Sequence, residues 1–290
     1  MPRRKLGWLW MMWVAALLAW VGGCKEDSGQ IVKVNGSTTV NPVVSGAAEL
    51  LRAEKGMTIQ IDTQGGSTGG ISALGDGLVQ VGMSSRHVDD KDRAKYPGVD
   101  FREIHIGEDA VAMVVSKDVW DGGVKALTRQ QVQGIYEGVT SNWKEVGGPD
   151  QRIAFFNREP GRGEWEVFGK WVYGDHKKVP PVSHPEVGGN EETRNKIGAT
   201  FGAVTFLSSV WADGQRVVAL PVTTDDGQTV EPSAANIVSG KYPMSRPLFL
   251  LSNGPPAAHA KTLIDFVLSP RGQELVRKHG YLSLDQLKTE

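Results

Sequence analysis

Two short turns hold the residues best suited to chemistry, Gly36-Ser37-Thr38-Thr39-Val40-Asn41-Pro42 and Gly65-Gly66-Ser67-Thr68-Gly69-Gly70. Each lies between a strand-like run and a helix-like run. Glycine lets the backbone come close to a ligand, and the hydroxyls donate hydrogen bonds. A helix beginning directly afterwards aims unpaired N–H groups and a partial positive charge at the same point. That combination binds oxyanions, and two such turns in succession point to one shared pocket. A third loop, Ser84-Ser85-Arg86, adds two hydroxyls and a cation. A fourth, from Asn157 and Arg158 through Gly161, Arg162, Gly163 and Glu164, is another glycine turn, and it feeds an aromatic-rich segment.

The elements that must position these turns alternate. Strands are predicted over residues 31–34, 58–63 and 79–83, with helices over 42–55 and 71–78. This order predicts an open α/β sheet, whose ligands sit in the crevice beyond the carboxyl ends of the strands, where the first three loops fall. Residues 110–116 form a strongly apolar strand, 127–136 a helix, and 138–148 a glycine-bounded loop around Asn142 and Trp143. A strand over 152–156 and a helix over 165–173 enclose the fourth turn. Residues 179–185 read as a proline-rich loop, residues 201–207, 217–222 and 246–252 as strands, and 257–279 as a long helix interrupted at Ser269-Pro270-Arg271-Gly272. There is no internal repeat.

The chain has 290 residues and a formal net charge of −1. Its start, Arg3, Arg4 and Lys5 followed by an apolar run to Trp20, has the order of an export signal. At about fifteen residues the run is short of the roughly 20 that span a bilayer. Without these three cations the remainder is more acidic still, so there is no basic footprint for nucleic acid. The single cysteine, Cys24, closes Val21-Gly22-Gly23-Cys24, which resembles the lipobox of bacterial lipoproteins. That resemblance implies that residues 1–23 are removed and that Cys24 carries a lipid. One cysteine excludes an internal disulfide, and residues 25–30 read as a polar tether.

Taken together, the segments at 36–42, 65–70 and 82–86, Asn142-Trp143 with Gly147-Gly148, Arg158 with Gly161 and Gly163, residues 240–248 and residues 268–273 resemble the substrate-binding proteins of bacterial phosphate ABC transporters. The resemblance runs from about residue 31 to residue 284. It implies a two-lobed periplasmic-binding fold of type II, with a buried anion in the cleft between the lobes. The implied lobes are 31–112, 113–224, and a return to the first over 225–290. It also implies a lipid-anchored, extracytoplasmic, monomeric protein that performs no chemistry and needs no cofactor or metal. Its partners would be inorganic phosphate and the permease and ATPase of an importer. The implied contacts are Thr39 and the Val40 amide, Ser67 and Arg158, with Thr38, Ser84, Ser85, Arg162, Gly163 and Glu164 completing the site.

Two positions depart from the family pattern. Ser85 stands where the best-known phosphate binders carry an aspartate, and Arg162-Gly163-Glu164 where they carry Ser-Gly-Thr. An aspartate there accepts a hydrogen bond from the protonated ligand oxygen and repels a fully ionised anion such as sulfate, which has no proton to give. Glu164 is the replacement acceptor, with Arg162 offsetting its charge; the alternative is an exposed Arg162–Glu164 ion pair. The departures leave sulfate, molybdate or an organic phosphate as alternative ligands. Gly65-x-Ser67-x-Gly69 also fits the nucleophile elbow of a serine hydrolase, which would require an imidazole beside Ser67, with His259 or His279 as nominees. His105 with Glu108 and Asp109 is the densest group of metal-ligating types, and reads as a solvated turn. Trp165, Phe168, Trp171 and Tyr173 recur at near-helical spacing, as a core face does.

Overall fold

Alternation of buried and exposed residues along Ile31–Gly36 makes β1, with Val32 and Val34 turned into a core. The computed structural model describes residues 31–175, 178 and 180–288. The export segment, Cys24, the tether, His176 and Val179 of the proline-rich loop fall outside the described residues. After β1 come β2 (Thr58–Asp62), β3 (Val81–Ser84), β4 (Phe101–Ser116), β5 (Leu127–Thr128), β6 (Ala154–Phe155) and β7 (Asn157–Arg158). Then follow β8 (Glu186–Val187), β9 (Ala203–Ser208), β10 (Val217–Leu220), β11 (Val222–Thr223), β12 (Thr229–Val230) and β13 (Ser245–Asn253).

The main sheet has the order β2-β1-β3-β13-β4-β9-β6, with β10 also paired to β4. Strands β1, β2 and β3 are parallel, and β13 runs antiparallel to both β3 and β4. The long β4 belongs to both halves of this sheet. Residues 101–110 pair with β13, and residues 111–116 pair with β9 and β10. The first half covers a core built on Val34, Met83, Leu250 and Leu263. The second covers one built on Val111, Met113, Phe168 and Phe206. Val230, Tyr242 and Met244 also pack in the second core. The chain therefore rejoins the first half at Ser245, well after the expected residue 225.

Several expectations shift. β4 begins at Phe101 rather than at residue 110, so His105, Glu108 and Asp109 lie within a strand and not on a solvated turn. His105 and Glu108 approach to 3.1 Å, while Asp109 is buried and bonded to Arg246. The second helix is Gly66–Gly75, starting inside the glycine turn rather than after it, from Gly65 at φ 76°. Helix propensity is poor there, and packing overrides it. A Cβ on Gly70 would come within 2.7 Å of the Asn35 and Met83 carbonyl oxygens, so only glycine lets this helix lie against β1 and β3. Gly70→Ala is expected to cost about 1–3 kcal/mol, read as a lower urea midpoint.

The interruption of the C-terminal helix is a full break. Ala258–Leu268 ends, and Pro270–Lys278 begins under a Ser269 side chain that accepts from the Gly272 amide. A helix at Asn190–Gly198 was not expected at all. Its buried positions are Asn190, Thr193 and Ile197, which gives no apolar stripe to read. The aromatic set behaves as a core face: Phe168 is buried and stacks on Phe206 at 4.0 Å, and Trp165, Trp171 and Tyr173 pack beside it. Among the described residues, no helix is long and apolar enough to cross a membrane.

Candidate oxyanion-binding site

Four helices begin at one place: Asn41–Lys55, Gly66–Gly75, Glu164–Tyr173 and Asn190–Gly198. None of the four has a side chain bonded to its first amides. Elsewhere Asp89, Thr128 and Ser269 cap their helices in the ordinary way. Some first-turn amides are spent on nearby carbonyls, Asn41 on Ser37 and Thr68 on Gly161, but the positive ends of four dipoles remain for another acceptor. The Val40 amide donates to no acceptor among the described residues.

Hydrogen bonds between side chains tie these starts together. Ser37 Oγ donates to Ser85 Oγ at 3.1 Å, Ser67 Oγ lies 3.2 Å from the same atom, and the Ser85 amide donates to Ser67 Oγ at 3.0 Å. Asn190 Nδ2 donates to Thr39 Oγ1 at 2.9 Å, joining the first helix start to the fourth. Gly163 sits on Ser85 so closely that a Cβ would come within 2.4 Å of its hydroxyl. Thr39, Ser67, Ser84, Ser85, Arg158, Arg162 and Glu164 are all buried.

Arg158 is fully buried. It donates to Thr193 Oγ1 and to Asn190 Oδ1, the latter at 2.9 Å, while its Nε has no partner. Burial lowers its pKa to about 10, partly countered by Glu164, so it stays cationic at neutral pH. Its carbonyl accepts from Trp165 Nε1 at 2.7 Å, which anchors the strand end to the aromatic core. Arg162 donates to Glu159 at 2.6 Å and holds a second buried nitrogen, Nη1, without a partner, close above Gly66.

Glu164 does not form an exposed pair with Arg162. Its carboxylate is 2% exposed as a residue and accepts from Arg246 Nη2 at 3.1 Å, with Arg158 Nη2 3.9 Å away. Burial opposes its charge, but Arg246 and then Arg158 prevail and hold its pKa at about 2. Arg246 is the hub that sequence reasoning missed. It donates to Asp109 at 2.8 Å, to Thr39 Oγ1 at 3.0 Å and to Ser85 Oγ at 3.0 Å. Glu164 and Asp109 hold it above the ordinary arginine range against the effect of burial. Burial pushes Asp109 up to about 6, against the pull of Arg246 and Ser208.

Asn190, Thr193, Asp109 and Arg246 complete the assembly. The Gly188-Gly189 pair preceding Asn190 was the one signal that could have exposed the fourth helix start. Two expected residues stand slightly apart. Ser84 Oγ donates to the Arg86 carbonyl at 2.7 Å and so braces its own loop, and Thr38 is half-buried against Gly189. Arg86 is spent on Asp92 at 2.6 Å. Among the described residues no imidazole is bonded to Ser67, whose hydroxyl faces Ser85, so the nucleophile-elbow reading lacks its base.

Uncapped helix starts, buried hydroxyls and a buried arginine at the ends of parallel strands define a solute-binding protein of the periplasmic-binding kind. A model of the PBP superfamily domain matches residues 25–271, and the chain belongs to that superfamily. It is 29% identical over 268 residues to the phosphate-binding protein PstS of Bacillus subtilis, covering 92% of this chain and 84% of that one. A Clostridium perfringens crystal structure with bound phosphate superposes with a TM-score of 0.77 at 29% identity, covering 88% of this chain and 99% of that one. An ABC-type phosphate transport receptor from Vibrio cholerae gives 0.66 at 28% identity, over 87% and 99%.

Proposed function

We propose that this chain captures inorganic phosphate outside the cytoplasm and delivers it to the permease of an ATP-driven importer. It binds and releases without changing the ligand. The observation that carries this reading is the meeting of four uncapped helix starts around Arg158, whose Nε is buried and unpartnered. Dipole ends, hydroxyls and a guanidinium fork together match a tetrahedral oxyanion, and phosphate is what the named relatives bind.

The contacts assigned are Thr38, Thr39, the Val40 amide, Ser67 and Ser85 from one side, and Arg158, Arg162, Gly163 and Glu164 from the other. Ser84 supports the loop. The lobes proposed are the two halves of the sheet, with β4 as their shared strand and β13 in the first. Lipid on Cys24 would tether a monomer to the membrane, and permease and ATPase subunits would receive the ligand.

Calorimetric titration of the chain from residue 25 onward with phosphate, sulfate and molybdate tests the reading. Tight binding of phosphate, with sulfate and molybdate at least tenfold weaker, is expected; absence of phosphate binding would overturn it. Glu164 supplies the discrimination. As an ionised carboxylate at any working pH it accepts a hydrogen bond from the O–H of a protonated phosphate and repels an anion without one. Glu164→Gln is therefore expected to narrow the preference for phosphate over sulfate by tenfold or more in the same titration. Unchanged discrimination would remove that role.

A further inference from the structure

Beside the anion contacts lies a cavity of about 460 Å³. Its inner wall includes Ser85 and Arg246, two residues that are themselves almost wholly buried and that bond to Ser67, Thr39 and Glu164. Ser85 and Arg246, bonded to each other at 3.0 Å, thus form the wall that the cavity shares with the oxyanion site. Its volume falls in the range of small-molecule sites, about 300–1,000 Å³, and is far more than a five-atom tetrahedral anion fills. Val167, Trp171 and Pro247 give it apolar surface, and Glu166 and Lys170 stand one helical turn apart along it. Those two side chains form no ion pair or hydrogen bond among the described residues, so neither is committed elsewhere.

We propose that this cavity is a side chamber of the anion site and accepts the single organic substituent of a phosphonate or phosphate monoester. The inference rests on the oxyanion-binding reading above and extends its ligand class. The head group would take the place of inorganic phosphate, and a flat or apolar substituent would part the Ser85–Arg246 contact and lie against Trp171. No bond is made or broken. An ester retains three phosphoryl oxygens of the four, enough to engage Arg158 and the helix starts, and exchanges the fourth for contact with the chamber.

The test is calorimetric titration of the chain from residue 25 onward with phosphate, methylphosphonate and phenylphosphonate, on the wild type and on Ser245→Trp. Ser245 is an exposed residue at the start of β13 that lines the chamber and makes none of the anion contacts. Phenylphosphonate is expected to bind within tenfold of phosphate and at least tenfold tighter than methylphosphonate. In Ser245→Trp it should lose tenfold or more, with phosphate unchanged. Phenylphosphonate more than tenfold weaker than phosphate, or indifferent to Ser245→Trp, overturns the inference and leaves the phosphate reading standing. If phenylphosphonate binds and phosphate does not, the inorganic-phosphate reading falls and the chamber survives. Binding of neither removes both.

Discussion

Arg158→Ala is expected to lose phosphate binding by about 2–5 kcal/mol, the usual consequence of removing one partner of a buried charged pair. That is roughly thirtyfold to several thousandfold in Kd. The loss has two parts. The anion forfeits a charge-assisted fork, and Asn190 and Thr193, which now accept from the guanidinium, are left with buried acceptors facing a void. Arg158→Lys retains the charge on a single nitrogen and cannot reproduce the planar fork. It should fall between the two. Titration calorimetry gives the affinities, and a urea midpoint near wild type for Arg158→Lys separates lost binding from lost folding. Wild-type affinity in Arg158→Ala would move the anion away from this residue.

The second large effect concerns stability. Arg246 is the common cation of Asp109 and Glu164, both buried. Arg246→Met preserves volume and removes the charge, leaving two buried carboxylates with Arg158 as the remaining close cation. A cost of about 3–5 kcal/mol is expected, as when one member of a buried ion pair is deleted. The dependence on pH should also change in character. In the wild type Glu164 has a depressed pKa, so its stabilising contribution is complete above its ordinary value of 4.5 and is lost as pH falls toward about 2. In Arg246→Met, burial no longer meets an opposing cation at Asp109, whose pKa is already raised to about 6 in the wild type, and it climbs further. A raised carboxylate favours the folded state when protonated. The variant should therefore regain stability as pH is lowered from 8 toward 5 and lose it again on return. Urea midpoints across that interval test this, and a flat difference from wild type would exclude it.

Much of the site was legible because glycine-and-hydroxyl turns advertise themselves. Thr39, Ser67, Ser85 and Arg158 could be picked out by their place between a strand and a helix. Glu164 stood out as a carboxylate at a position where the family pattern has a neutral residue. The rest was hidden for particular reasons. Helix Asn190–Gly198 has almost no apolar periodicity, since its buried first turn carries the polar Asn190 and Thr193. Arg246 sits in an apolar strand beside a proline and shows nothing locally of its contacts with Asp109, 137 residues away in sequence, or with Thr39, 207 away. Such long-range partners are set by sheet order, and the placement of β13 between β3 and β4 leaves no trace in periodicity. The early start of the second helix was concealed by glycine's low propensity, which close packing against β1 and β3 overrules.

The long shared strand β4 also limits how this protein can be divided. Its first ten residues complete one half of the sheet and its last six the other, while β13 returns from the far end of the chain to seal the seam. The first half is not encoded by a continuous stretch, because β13 returns to it only after the whole of the second half has been laid down. A gene fragment cut anywhere between them would leave an unpaired sheet edge on both products. Recombination between relatives that preserves the fold therefore has to exchange the strands that precede the second half together with β13, whereas the second half can move as a single insert.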